Sequence, residues 1–405
     1  MGGRRCVESD HAVEIAAMTG PLQAAGRPAV IVFLVTEDWY FWSHRLPVAR
    51  AARDAGARVI VATRVERLRA PVEKEGFELV ALPWRRRSHN PWSEARAFLA
   101  IVALYRRERP DIVHHVAVKP VVYGGIAARL AGARSQVNAI AGLGYVETSR
   151  QPRARILRAV FRSVLRFAWS GPGVHVIVQN PDDREALART RLLPSSHIHT
   201  IRGSGVDIAQ FTPAPEPPAP PVRVVYGGRL LASKGVRELV EAARALKARE
   251  SAPGIILVGD PDPENPESIP ESEVREWVSE GLVSHQPWTD DMASVWRGAH
   301  IAVLPSYREG LPKALLEAAA CGRAIVATDV PGCREIARDG VNALLVPARD
   351  AHALAAAIER LALDAPLRAR LGAAGRDIVV NEYAQSIVVS ETLALYRMLC
   401  GMESR

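Results

Sequence analysis

"FTPAPEPPAPPVRVVYGGRLLASKG", residues 211–235, breaks a pattern and then restarts it. Residues 211–221 are dense in proline, which fixes φ and donates no backbone hydrogen bond, so they read as an extended, stiff linker. On both sides of them, short apolar runs bounded by turns alternate with helical patterns, the signature of parallel strands covered on both faces. Upstream the runs are "AVIVFLV" (29–35), "ARVIVAT" (57–63), "FELVALP" (77–83), "DIVHHVAV" (111–118), "SQVNAIAG" (135–142), "VHVIVQ" (174–179) and "IHTI" (198–201). Downstream they are "VRVVYGG" (222–228), "GIILVGD" (254–260), "LVSHQPW" (282–288), "IAVLPS" (301–306), "AIVATDV" (324–330) and "ALLVP" (343–347). The pattern predicts an α/β protein of two doubly wound domains, over 28–210 and 222–380, with an extension at 1–27. A helix within 381–405 is expected to pack back on the first domain. A chain of 405 residues suits two cores better than one.

Composition is that of a globular protein, with 48% hydrophobic and 24% charged residues. The net charge of +8 is carried almost wholly by arginine, since there are five lysines. Heavy arginine and alanine use reflects a GC-rich coding sequence as readily as an anionic partner, so no nucleic-acid binding is read from it. Cys6, Cys321, Cys333 and Cys400 have neither metal nor disulfide spacing, which fits a reduced, cytoplasmic compartment. Residues 1–27 begin with basic residues but lack the apolar core of a signal peptide. With no uncharged apolar stretch long enough to span a bilayer, membrane contact is expected to be peripheral, on the inner face of the plasma membrane.

In doubly wound sheets ligands lie beyond the carboxyl ends of the strands. Gly227, Gly228 and Arg229 directly follow a strand, with Ser233 and Lys234 at the start of a helix. Two cations beside glycine-rich backbone suit a diphosphate; the competing reading of the glycines is an ordinary turn. No G-x-x-x-x-G-K-[ST] loop is present, which removes the nucleotide-hydrolase reading. "SYREGLPKALLEAAACG" (306–322) also follows a strand. Pro312 suits the first position of a helix, leaving the amides of Gly310, Leu311 and Lys313 at its open end. Glu309 stands just before those donors, and Glu317 lies among leucines and alanines. A carboxylate there needs a partner, either the vicinal hydroxyls of a ligand or Lys313 at i, i+4.

"GGRLLASKG", "LVGDPDPENP", "LPSYREGLPKALLEAAACGRAIVATDVPGCREI" and "DGVNALLVP", in this order, resemble the donor domain of family 4 glycosyltransferases, and the resemblance extends over nearly all of residues 28–400. It implies the GT-B fold, two Rossmann-like domains facing each other across a cleft. It also implies that Arg229 and Lys234 bind the donor diphosphate, that Glu309 and the amides after it contact the transferred sugar, and that Glu317 contacts the nucleotide ribose. Gly228, Arg229, Lys234, Glu309, Gly310, Leu311, Lys313 and Glu317 are thus the expected donor-binding set, with Arg229, Lys234 and Glu309 serving catalysis. "EGLPKALLEA" in place of a histidine-glycine-glycine loop implies retention of anomeric configuration. "DPD" (260–262) resembles a metal-binding D-x-D, but its prolines favour a loop, and the family implies no metal and no cofactor.

In the first domain the strand-to-helix loops supply acceptor candidates: Asp38 and His44 after the first strand, His115 and Lys119 around "VHHVAVKP", and Gly142, Gly144 and Tyr145 in "NAIAGLGY". His114 and His115 alternate faces of a strand, so at least one is expected to be packed, and the two glycines have a simple turn as their alternative reading. With "SHRLPVARAARDAG" and "GSGVD", these stretches resemble the branch of the family that builds polysaccharides on polyprenyl-diphosphate carriers. The loop holding Gly142-Leu143-Gly144 lacks a histidine that many members place there. "RARILRAVFRSVLRFAW" (153–169) spaces Arg155, Arg158, Arg162 and Arg166 beside an apolar stripe, and "WRRRSHNPW" (84–92) sets cations between tryptophans. These stretches read either as a contact with an anionic membrane surface or as an ordinary surface helix with its apolar face in the core.

The expected activity is transfer of a hexose from a nucleotide-diphosphate sugar to a lipid-linked saccharide. A sugar-nucleotide epimerase and a non-catalytic sugar-nucleotide-binding protein are the alternatives.

Overall fold

The structure is a computed structural model that describes residues 20–84, 90–140, 162–171, 173–249 and 252–401. The extension up to residue 19, the loop holding Gly142, Gly144 and Tyr145, and Arg155 and Arg158 of the basic stretch lie outside the described residues.

After a small antiparallel hairpin, β1 (Gln23–Ala24) with β2 (Arg27–Pro28), the upstream runs form β3 (Val30–Glu37), β4 (Arg58–Arg64), β5 (Glu78–Ala81), β6 (Ile112–Val116), β7 (Ser135–Ala139), β8 (Val174–Val178) and β9 (Ile198–Thr200). They pair in parallel in the order β5-β4-β3-β6-β7-β8-β9. The downstream runs form β10 (Arg223–Gly227), β11 (Gly254–Val258), β12 (Ser284–Gln286), β13 (Ile301–Leu304), β14 (Ala324–Thr328) and β15 (Ala343–Val346), parallel in the order β12-β11-β10-β13-β14-β15. Both sheets are doubly wound, as the sequence predicts. Every residue of β6, β7, β8, β13 and β14 is buried, which explains their continuous rather than alternating hydrophobicity. The strand order reverses between β3 and β6 in one sheet and between β10 and β13 in the other, the positions where such sheets open a crevice for ligands.

The chain forms two units, one of residues 1–204 with 388–405, the other of 205–387. The proline-rich stretch 211–221 therefore belongs to the second unit, where sequence had suggested a boundary. The physical reason lies in its chemistry: proline backbone offers carbonyl acceptors and no donors, and arginines supply the missing donors. Arg323 donates to the Ala214 carbonyl at 2.6 Å, Arg376 to that of Phe211 at 2.8 Å, and Arg368 pairs with Glu216 at 2.8 Å.

The helix Gln385–Gly401 places Val388, Leu393, Tyr396 and Leu399 in the core of the first unit. Tyr396 Oη lies 2.5 Å from His114 Nδ1 on β6, and Arg397 donates to the Gly20 carbonyl at 2.8 Å.

Candidate active site

The two segments that flank the β10/β13 reversal are brought together by their loops. After β10 the chain passes through a short 3-10 turn, Ala232–Lys234, into the helix Val236–Leu246. Gly235 joins them at φ +70°, where a Cβ would stand 2.0 Å from the Pro305 carbonyl oxygen, so only glycine lets this loop lie against the one after β13. The Tyr307 amide donates to the Ser233 carbonyl at 2.9 Å and fixes the second loop to the first. Gly332 presses on the same loop from β14's side: a Cβ there would lie 2.4 Å from the carbonyl oxygens of Glu309 and Gly310.

This packing sets Lys234 Nζ 2.5 Å from Glu309 Oε1, and Ser306 Oγ donates to the same oxygen at 2.5 Å. Both carboxylate and cation are mostly covered, with side chains 10% and 26% exposed. Arg229 pairs with Asp262 of the loop after β11 at 2.7 Å. The Gly228 amide is used within the sheet, donating to the Val258 carbonyl. Burial pushes the Tyr226 phenol well above its ordinary range, with the Glu309 charge adding to the effect, so its hydroxyl stays protonated and donates to the Arg229 carbonyl at 2.7 Å. Each expected diphosphate ligand is therefore paired with a carboxylate. The "DPD" carboxylates serve the backbone and Arg229: Asp260 Oδ2 accepts from the Trp288 amide at 3.4 Å.

Pro312 is the N-cap of the helix Lys313–Ala320, one position earlier than its sequence suggests, and the amides of Gly310 and Leu311 precede it. Glu317 is 6% exposed. Its carboxylate takes both a 3.5 Å ion pair from Lys313 and a 3.3 Å hydrogen bond from Trp296 Nε1. Burial raises its pKa, against the opposing Lys313 charge and the hydrogen bonds from Trp296 and Lys313. The i, i+4 pair is real, yet both contacts are long for a buried carboxylate. Cys333 is buried, and burial together with the Glu309 charge pushes its thiol up to about 12.

Residues 221–364 match the family described as glycosyl transferases group 1, and residues 30–170 match glycosyl transferase 4-like. The chain belongs to the family 4 glycosyltransferases. An N,N'-diacetylbacillosaminyl-diphospho-undecaprenol alpha-1,3-N-acetylgalactosaminyltransferase of Campylobacter jejuni is 26% identical to it over 90% of this chain and 98% of the relative. Among solved structures, sucrose-phosphate synthase from Thermosynechococcus elongatus superimposes with a TM-score of 0.74 at 22% identity, over 92% of this chain and 99% of the other. Anabaena Alr3699/HepE in complex with UDP-glucose gives 0.70 at 18% identity, over 90% and 99%. These two likenesses concern the GT-B fold.

On the acceptor side, the family 4 glycosyltransferase uses several candidates for its own architecture. Asp38 Oδ2 accepts from the amides of Glu66, Arg67 and Leu68 at 2.8–2.9 Å, and Oδ1 accepts from that of Trp39 at 2.8 Å. Burial alone would raise its pKa, but these four amides hold it below the usual value. Both strand histidines are fully buried because both faces of the sheet are covered. His115 sits between Tyr105 Oη at 3.0 Å and Asn138 Oδ1 at 2.8 Å, and burial lowers its pKa to about 4. Asp38 and His115 are thus structural here rather than ligand-facing. Lys119 lies in the first turn of the helix Val118–Ala131, not in a loop, and pairs with Glu94 at 2.9 Å. His44 is half-buried, stacked on Tyr40 at 4.1 Å with Ser43 Oγ at 2.6 Å from Nδ1. Sequence reasoning missed Ser306, Asp262 and Trp296. A serine three positions before Glu309, just past a strand, was the available signal for the first; the other two reach the site through tertiary contact alone.

Within 162–169, Leu165 and Trp169 are buried while Arg162, Arg166 and Phe167 are exposed, the arrangement of a surface helix with its apolar face in the core. No helix among the described residues is long and apolar enough to cross a membrane.

Proposed function

We propose that this enzyme is a retaining glycosyltransferase that moves a hexose from a nucleotide-diphosphate sugar to a hydroxyl of a lipid-linked saccharide in cell-surface polysaccharide synthesis. The observation that carries the reading is the Lys234–Glu309–Ser306 cluster, with Arg229 beside it, at the carboxyl ends of β10 and β13. A diphosphate entering there takes Lys234 and Arg229 from their carboxylates, because its charge exceeds that of either partner. Lys234 released from Glu309 leaves that carboxylate facing the sugar, with Ser306 still holding one oxygen. As the bond from the anomeric carbon to the diphosphate breaks, negative charge grows on the leaving oxygen, and the two fixed cations stabilise it. The same phosphate oxygen accepts the proton of the acceptor hydroxyl arriving on that face, which gives retention. Glu317 binds the ribose diol. The acceptor class is supported by the diphospho-undecaprenol substrate in the name of the Campylobacter relative.

The test is a panel of nucleotide sugars screened by thermal shift, because a ligand that binds only the folded state raises Tm. Membrane extracts are then added as acceptor and the product's anomeric configuration is read by NMR. Release of nucleotide diphosphate with an α-configured lipid product from an α-configured donor is the expected result. An epimerised donor, or donor bound but never consumed, refutes transfer, and an inverted product refutes retention.

A further inference from the structure

The first unit holds a cavity of about 710 Å3, within the range that encloses a small molecule. It lies beyond the carboxyl ends of two strands: Arg64 ends β4, and Trp84 follows β5. Among the described residues that line it, both charged groups are guanidinium, Arg64 and Arg96, accompanied by Trp84, Trp92, Asn90 and Ser93. Arg96, on the exposed side of the helix Pro91–Glu108, forms no ion pair with the described residues; Glu94, the carboxylate two positions earlier, is turned to Lys119 and Tyr123. Arg64 is paired at 2.6 Å with the half-exposed Glu66, and at 3.8 Å with Glu37. Trp92 is 84% exposed, an unusual cost for so large an apolar side chain, while Trp84 is buried and tied by Nε1 to the Thr36 carbonyl at 3.1 Å.

We propose that this cavity receives the phosphate end of the acceptor carrier, a diphosphate ester of an apolar alcohol. Arg64 and Arg96 hold phosphoryl oxygens in the two-pronged geometry that guanidinium offers. Trp92 covers the first carbons of the chain, with the buried Trp84 behind it as the cavity wall. The inference rests on the lipid-linked acceptor argued above and adds where that acceptor's charged end sits.

Farnesyl diphosphate, inorganic diphosphate and farnesol are the probes, titrated into the full-length protein and followed by tryptophan fluorescence and calorimetry. Farnesyl diphosphate is expected to bind, with both other probes weaker by about tenfold or more. Arg96→Glu and Trp92→Ala, both at exposed positions that leave folding intact, should each weaken it by about tenfold. Arg229→Ala, at the donor site of the other unit, should leave this binding unchanged. Inorganic diphosphate bound as tightly as farnesyl diphosphate, or affinity that survives Arg96→Glu and Trp92→Ala, overturns the proposal; so does wild-type protein that binds none of the probes. Transfer to lipid extract with an acceptor KM indifferent to both substitutions also overturns it while leaving the activity intact. Transfer confined to water-soluble acceptors, with farnesyl diphosphate still bound, retires the lipid-linked acceptor and leaves the cavity as a phosphate-ester site.

Discussion

Glu317→Gln separates a ligand contact from a structural one. The carboxylate is buried, its two protein contacts are 3.3 and 3.5 Å long and fall on different oxygens, and glutamine keeps the shape but accepts only one of the two donors. At these lengths the one contact the amide loses is a weak one. Because burial raises the folded-state pKa, the ionised form is the disfavoured one in the fold. Its contribution to stability is present below the unfolded pKa of about 4.3 and is lost as pH rises through the folded value. At neutral pH the substitution removes a penalised charge, so Tm is expected to hold or rise, and the advantage to vanish in acid. Donor binding moves the other way. A ribose diol bound by a carboxylate loses charge-assisted hydrogen bonds worth about 1.5–3 kcal/mol, or about 10- to 150-fold in Kd. Calorimetry with the nucleotide sugar found by thermal shift, alongside melting curves at pH 4 and pH 7.5, reads both quantities. Unchanged donor affinity, or affinity and Tm falling together, refutes the ribose role.

Arg229→Ala and Lys234→Ala should each lower kcat by about 100- to 1,000-fold with a smaller change in donor KM, since charge on the leaving diphosphate peaks in the transition state; a pure KM effect in steady-state assays refutes leaving-group stabilisation. Asp38→Asn leaves one neutral oxygen for four amide donors, so the Trp39 amide or the amides of residues 66–68 must face the side-chain NH2, and the first unit should be destabilised by about 1.5–3 kcal/mol in urea titration. Because the folded pKa of Asp38 is lowered, that stability is present above the unfolded value near about 3.9 and disappears as pH falls through the folded one, so the wild-type advantage should shrink in acid. Reversing Arg155, Arg158, Arg162 and Arg166 to glutamate should release the protein from acidic liposomes while sparing transfer to a short water-soluble acceptor, and added salt should mimic it because exposed charges are screened beyond about 8 Å. Wild-type protein that ignores acidic liposomes at low salt removes the membrane contact.

The strands were legible because parallel sheets bury both faces, so each strand is a short apolar run that needs no partner to be recognised. The meeting of Lys234 with Glu309 was legible for a related reason. Once β10 and β13 are placed at a reversal, a basic loop after one and an acidic loop after the other must meet, although Lys234 and Glu309 are 75 residues apart. The acceptor half was harder. Asp38 stands where a ligand carboxylate would, yet amides of residues 66–68 claim it, and no local pattern announces that encounter. For His114 and His115, alternation correctly assigns opposite faces, but in a covered sheet both faces are interior. At 211–221 proline density speaks of stiffness and leaves out the arginines that fasten the stretch to the second unit.

The helix Gln385–Gly401 also makes the first unit discontinuous along the chain. Residues 205–387 leave the exit tunnel as one continuous segment with every strand of their sheet already present. The N-terminal sheet, synthesised first, still lacks the wall formed by Val388, Leu393, Tyr396 and Leu399 until the last residues emerge. The first unit therefore closes its core only with a segment made after the whole of the second, and Tyr396 reaches Phe33 and His114 across that separation.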